Sequence, residues 1–271
     1  MSRIMKELTC NYHKFADDTQ LRGSEIPEKG SILMADKLEQ CEERVKDWML
    51  CNKLKQNDNK TKALKVVTRS QCSRAPGASL GVGDHGIAFK PYVKNLGVYL
   101  DSQFSKSRQV SHICSTSYLE IRRVAKIRRF LTKKAATQLV CACVTPHIDY
   151  YNSLLAGIST DQLSRIQRVQ NSAARVILQK KRRDHVTPLL NHLHWLPVQQ
   201  RIQYKLGTLA FNYFHGTLPP YLSSKLTKYS PTRSLRSSSQ LLLTVPRTKL
   251  KISWTKILPI SKSLHFGTHF P

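Results

Sequence analysis

Acidic side chains are scarce in this chain and vanish towards its end: seventeen Asp and Glu stand against forty-four Lys and Arg, and none follows Asp184. Eleven of the acids lie within the first 60 residues, whereas residues 185–271 still carry eleven Lys or Arg. A net charge of +27 calls for counter-charge from outside the chain, which points to a polyanionic partner. Long apolar runs are missing too. No stretch of about 18 apolar residues occurs, so no membrane-spanning helix is expected. The N-terminus also lacks the positive segment and apolar core that direct secretion. These absences predict an intracellular protein, nuclear or cytoplasmic, whose polyanion is nucleic acid and not a membrane. There is no Cys-x-x-Cys pair, and the seven cysteines, an odd number, are expected as reduced thiols. Neither His112, Cys114, Cys141 and Cys143 nor His185, His192 and His194 have the customary spacing of zinc ligands.

Of what is present, the most pointed stretch is Phe15-Ala16-Asp17-Asp18-Thr19-Gln20-Leu21. Two adjacent carboxylates follow an apolar pair and precede a polar-apolar run, which predicts strand, tight turn and returning strand with both acids at the tip. Carboxylate oxygens on a turn suit Mg2+, which keeps several waters and takes one or two carboxylates plus substrate phosphates. The same dipeptide is also an ordinary turn, because short acidic side chains bond their own backbone.

Between Met34 and Asn52 the apolar residues Leu38, Cys41, Val45, Trp48 and Met49 recur at helical spacing, opposite Glu39, Glu42, Glu43, Lys46 and Asp47. A polar turn over 54–61 leads to a strand-like segment at 63–67, and the Gly-, Ser- and Pro-rich stretch 71–86 reads as an exposed loop. A second strand pair is expected at 87–89 and 93–101, with Gly97 marking a bulge or the close approach of another backbone. From Arg108 the period turns helical. Val110, Ile113, Cys114, Ile121, Val124 and Ala125 make one face against Arg122, Arg123, Lys126 and Arg129. A shorter helix over 133–144 follows Thr132 as its N-cap. In the next, from Thr160 to about Gln179, Leu163, Ile166, Ala173 and Ile177 turn inward while Arg165, Arg168 and Arg175 cluster outside, continued by Lys180-Lys181-Arg182-Arg183. A solvated basic face is one reading of these cations; the shortage of nearby acids favours an external anion. A helix over 198–213 is expected to bury Val198, Ile202, Leu206, Leu209 and Tyr213, and from Ser223 the composition becomes that of an aperiodic basic tail.

Taken in order, Phe15 to Leu21, the Trp48 helix, Asn57-Asp58-Asn59-Lys60-Thr61, Asn95-Leu96-Gly97-Val98-Tyr99-Leu100-Asp101, Gln170-Asn171-Ser172-Ala173-Ala174-Arg175 and His194-Trp195-Leu196-Pro197 carry a resemblance. Together they resemble the C-terminal half of a reverse transcriptase from a non-LTR (LINE-like, jockey-type) retrotransposon, over residues 11–250. That resemblance implies an RNA-directed DNA polymerase. Asp17 would ligate catalytic Mg2+ with Asp18 beside it, Lys60 would stand near the leaving pyrophosphate, and Leu96, Gly97 and Val98 would form a primer-grip-like hairpin. An α+β fold follows: a small β-rich palm remnant with one helix over 1–101, a helical thumb over 102–155, a helical basic region over 156–222 and a basic tail over 223–271. RNA or an RNA/DNA hybrid would be the partner, held by Arg122, Arg123, Arg129, Arg165, Arg168, Arg175, Lys180, Lys181, Arg182 and Arg183.

The family takes a further metal-binding carboxylate and its nucleotide-binding cations from upstream strands. Here only fourteen residues precede Phe15, and Glu7 is their one acid. The expectation is therefore a truncated polymerase, inactive alone, that retains weak nucleic-acid binding. A second class stays open, a helical nucleic-acid-binding or protein-interaction module whose exposed apolar faces recruit a partner. Residues 252–271 do not resemble the family.

Overall fold

The computed structural model describes residues 11–16, 18–23, 31–54, 57, 60–66, 79–82, 85–230, 233 and 241–244. The chain is α+β and divides into two units between Ser105 and Lys106. In the first, short strands pair locally as two-stranded antiparallel sheets. Strand β1 (Asn11–Phe15) pairs with β2 (Asp18–Arg22), Phe15 lying opposite Asp18. Helix α1 (Ser31–Cys51) starts three residues before the expected Met34. It buries Cys41 and Val45 and half-buries Trp48. The helix stops where the Asn52 amide donates back to the Trp48 carbonyl at 2.7 Å and Lys53 turns to φ +58°.

Strand β3 (Ser79–Val82) pairs with β4 (His85–Ala88), so the last part of the expected 71–86 loop is a hairpin. Gly81, which marks a loop by composition, here admits a neighbour: its backbone N–H donates to the Glu39 carboxylate of α1, and a Cβ on it would lie 3.1 Å from Glu39 Oε1. Strand β5 (Tyr92–Asn95) pairs with β6 (Val98–Asp101), Asn95 opposite Val98. The expected strand 93–101 is therefore two strands, and Gly97 marks a turn instead of a bulge. Leu96 at φ +45° and Gly97 at φ +81° supply the two left-handed residues that match the twist of a tight hairpin. Ala63 makes one isolated bridge to Phe89 in place of the longer strand expected there.

The second unit is helical: α2 (Ser107–Ile127), α3 (Lys133–Cys143), α4 (Thr145–Asp149), α5 (Thr160–Leu178), α6 (Thr187–His192), α7 (Val198–Phe214) and α8 (Pro220–Ser223). Its core joins Val110, Ile113, Ile121 and Val124 of α2 to Ile166, Val169, Ala173 and Ile177 of α5, with Val140, Leu155, Val198 and Ile202 around them. Ala125, expected on this inner face, is exposed. Thr132 caps α3 by accepting from the Ala135 N–H at 3.2 Å. A reciprocal capping box between Ser159 and Gln162, both bonds 3.3 Å, starts α5.

Helices α2 and α5 run parallel. Gln162 donates to Ser107 at 2.8 Å, Arg165 to Ser111 at 3.1 Å, and Arg128, just past α2, to the Ile177 carbonyl at 2.6 Å. Part of the expected aperiodic tail is paired, Lys228 bridging Leu243 while the Tyr229 N–H donates to the Leu242 carbonyl at 2.9 Å. No helix among the described residues is long and apolar enough to cross a membrane.

Candidate metal hairpin and basic helix end

Phe15 pairs directly with Asp18, so Asp18 opens strand β2 instead of sharing the tip. Asp17 lies outside the described residues. Ala16 stands at φ +52°, which costs an L residue about 1–2 kcal/mol; strain of this kind persists where surrounding structure or function demands it. Strand alternation puts Asp18, which is exposed, and Gln20 on one face. Gln20 then donates to the Asn95 side chain at 2.7 Å. That bond ties the acidic hairpin to the residue immediately before the Leu96-Gly97 turn. Around that turn Leu96 is half-buried, Gly97 exposed and Val98 buried in the core.

Lys60 sits in a single turn whose N–H donates to the Asn57 carbonyl at 3.0 Å and to its side chain at 3.2 Å. Its ammonium is exposed, and among the described residues no ion pair joins it to Asp18. The donor chemistry of Asp18 fits a ligand to one hydrated Mg2+. A two-metal centre needs more carboxylates, and no group of three His, Cys, Asp or Glu side chains capable of holding a metal forms among the described residues.

The parallel packing of α2 and α5 gathers their C-terminal cations at one end of the second unit. Arg122, Arg123 and Arg129 come from α2 and the turn after it, and Lys180, Lys181, Arg182 and Arg183 from the turn after α5; all seven are exposed. Between the two helix ends lies a cleft of about 240 Å³ lined by Ala125, Arg128, Arg175, Val176, Gln179 and Lys180. Arg123 is held by Glu120 at 2.7 Å, and Arg129 lies over the Phe130 ring at 4.5 Å. Among the described residues no acid lies within ion-pair distance of Arg122, Lys180, Lys181, Arg182 or Arg183. Asp184 spends its carboxylate on the Lys181 backbone N–H at 2.8 Å.

The arginines expected on one outer face of α5 divide. Arg168 is exposed, whereas Arg165 and Arg175 are half-buried, Arg165 on Ser111 and Arg175 on the Asp184 carbonyl at 3.1 Å. The last two are engaged in the fold before any ligand arrives.

Sequence reasoning passed over Arg128, the cation that does most for this end. Its guanidinium donates to the Val176 and Ile177 carbonyls at 3.1 Å, to Ile177 again at 2.6 Å and to Leu131 at 2.7 Å. It thus satisfies carbonyls that a helix C-terminus leaves open and sits at the negative end of the helix dipole. No known protein family, curated protein or solved structure matches the chain.

Proposed function

We propose that the chain is the C-terminal half of a retrotransposon-type reverse transcriptase that binds nucleic acid through the basic end of α2 and α5 and lacks autonomous polymerase activity. The observation that carries this reading is the set of five exposed cations, Arg122 and Lys180 to Arg183, at the C-terminal ends of α2 and α5, with no ion-pair partner among the described residues and with Lys180 lining the cleft between the two ends. Like charges held this close repel unless a polyanion offsets them. The Gln20–Asn95 bond supports the polymerase ancestry, since the hairpin of Asp17 and Asp18 and the primer-grip-like Leu96, Gly97 and Val98 would both address the primer end. Those residues and Lys60 are proposed as relics of the catalytic centre, with Mg2+ binding weakly at the acidic hairpin.

The test is titration of the full chain with an RNA/DNA hybrid over a range of salt concentrations, together with primer extension in Mg2+. Affinity falling steeply with salt and no extension are expected. A flat salt dependence overturns the binding reading. Extension abolished by Asp17→Asn overturns the lack of activity. A protein-interaction role is favoured by one feature of the same end, the exposed Ile127 and Phe130, 44% and 73% accessible; concentration-dependent self-association without hybrid binding would select it.

A further inference from the structure

The turn between α2 and α3 displays a side chain that the fold does not use. Phe130 closes the 3-10 turn Arg128–Phe130 and is 73% accessible; no large apolar side chain among the described residues is more exposed. Its backbone is nonetheless fixed on both sides. Arg128, two residues before it, is bonded to the Val176 and Ile177 carbonyls of α5. Leu131, the residue after it, accepts from the same guanidinium, and Thr132 then caps α3. The ring is oriented by its neighbour Arg129, whose guanidinium carbon lies 4.5 Å from the ring centroid. With Arg129 over one face, most of the ring surface is still open to solvent.

An exposed Phe alone says little, because apolar side chains often stand at surfaces. The charge around this one selects an occupant. Residues 126–134 contain five Lys or Arg and no acid. Arg128 is used on carbonyls and Lys133 meets the His192 ring. Lys126, Arg129 and Lys134 are exposed, with no ion-pair partner among the described residues. A second copy of the chain docked on the ring would bring two basic ends face to face, where like charges repel. An anionic membrane takes up a whole apolar helix face, whereas the apolar face of α2 is buried against α5. A nucleotide is flat and apolar at its base and anionic one sugar away, which matches an open ring among unpaired cations. We infer that Phe130, backed by Arg129, is a stacking site for an unpaired base of single-stranded nucleic acid, with Lys126 and Lys134 on the neighbouring phosphates. The base meets a ring whose backbone and plane are already set, so little freedom is lost on binding. Duplex does not suit the site, because paired bases hide the faces that aromatic side chains stack upon.

The inference rests on the proposed nucleic-acid binding and names its form. It is tested by fluorescence anisotropy of the full chain with a labelled oligothymidylate and with a duplex of equal length, for Phe130→Ala, Phe130→Leu and Phe130→Trp. Phe130→Ala is expected to weaken single-strand binding about 5- to 150-fold, to leave duplex binding unchanged and to keep the slope of affinity against salt, since no charge is removed. Phe130→Leu keeps apolar area without a π face and is expected to fail equally. Phe130→Trp is expected to bind at least as tightly as the unaltered chain and to be quenched by the oligothymidylate beyond any change in the three native tryptophans. Unchanged single-strand binding in Phe130→Ala, equal losses on single strand and duplex, full rescue by Leu, or no added quenching in Phe130→Trp each overturn the site. Self-association in sedimentation that Phe130→Ala abolishes, with single-strand affinity kept, would assign the ring to a second copy. If the unaltered chain binds neither oligonucleotide nor an RNA/DNA hybrid, the site and the proposed function fall together. If it binds the duplex or the hybrid and single-strand binding does not depend on Phe130, the site alone falls.

Discussion

Cys114 shows how much one residue's setting decides. It lies on the inner face of α2, where burial pushes its thiol above the usual range while Arg165 and Arg168 pull it partly back. The folded state therefore holds this proton to higher pH than the unfolded chain. The stabilisation is complete below the ordinary thiol pKa of about 8.5 and is lost as pH rises through it towards the raised value. Replacing Cys114 by Val is expected to flatten the alkaline fall of the urea midpoint. Alkylation followed by peptide mapping gives a second reading: exposed Cys51 and Cys141 label first and Cys114 only on unfolding. Labelling of Cys114 at the rate of Cys141 would contradict both expectations.

The position of Cys114 was legible because its apolar neighbours recur every three or four residues. Ala125 fits that period equally well and is nonetheless exposed, lining the cleft with Arg128 and Arg175. Periodicity assigns a face; it does not say where the partner helix ends.

At the scale of elements, the C-terminus of α5 depends on Arg128. Replacing it by Ala would leave the Val176 and Ile177 carbonyls without their charged donor, a loss of about 2–3 kcal/mol visible as a lower melting temperature of the helical signal. Lysine should recover less than half, since an ammonium cannot reproduce the fork that meets several carbonyls together. Full recovery by Lys would mean that charge alone matters. Arg128 and Arg129 are neighbours that no pattern separates, yet one closes a helix and the other lies over Phe130. The ordered motifs gain a physical basis from the same unit. Gln170 is 2% accessible and donates to the Leu196 carbonyl at 2.8 Å, and the Gln167 side chain accepts from the Val198 N–H at 2.9 Å. Gln170 thus fastens the His194-Trp195-Leu196-Pro197 stretch to α5. The hairpin at 79–88 was illegible for the opposite reason: its glycine serves a contact with α1, forty-two positions away, that composition does not record.

Across the whole molecule the acids are concentrated early while the cations run throughout, so the excess of positive charge grows along the chain. Replacing Lys180, Lys181, Arg182 and Arg183 together by Gln is expected to lower the slope of log affinity against log salt by up to about 3 on single-stranded nucleic acid. The unfolding midpoint should stay where it is, because all four side chains are exposed. An unchanged slope would remove these residues from the interface.

The parallel course of α2 and α5 has one more effect. Two helix dipoles pointing the same way add, and their shared negative end is the one the lysines and arginines cover. Those dipoles, about −0.5 e at each C-terminus, oppose the attraction of a polyanion but are outweighed by the seven exposed cations, so it is the cation cluster that makes the second unit an electrically oriented body before it touches anything. In the field of a polyanion it feels a torque as well as a pull, and it swings until the axes of these helices point at the phosphates. First encounters should then occur end-on, with far fewer lengthwise collisions, so that orientation is set in solution and salt slows capture by weakening the alignment as well as the attraction.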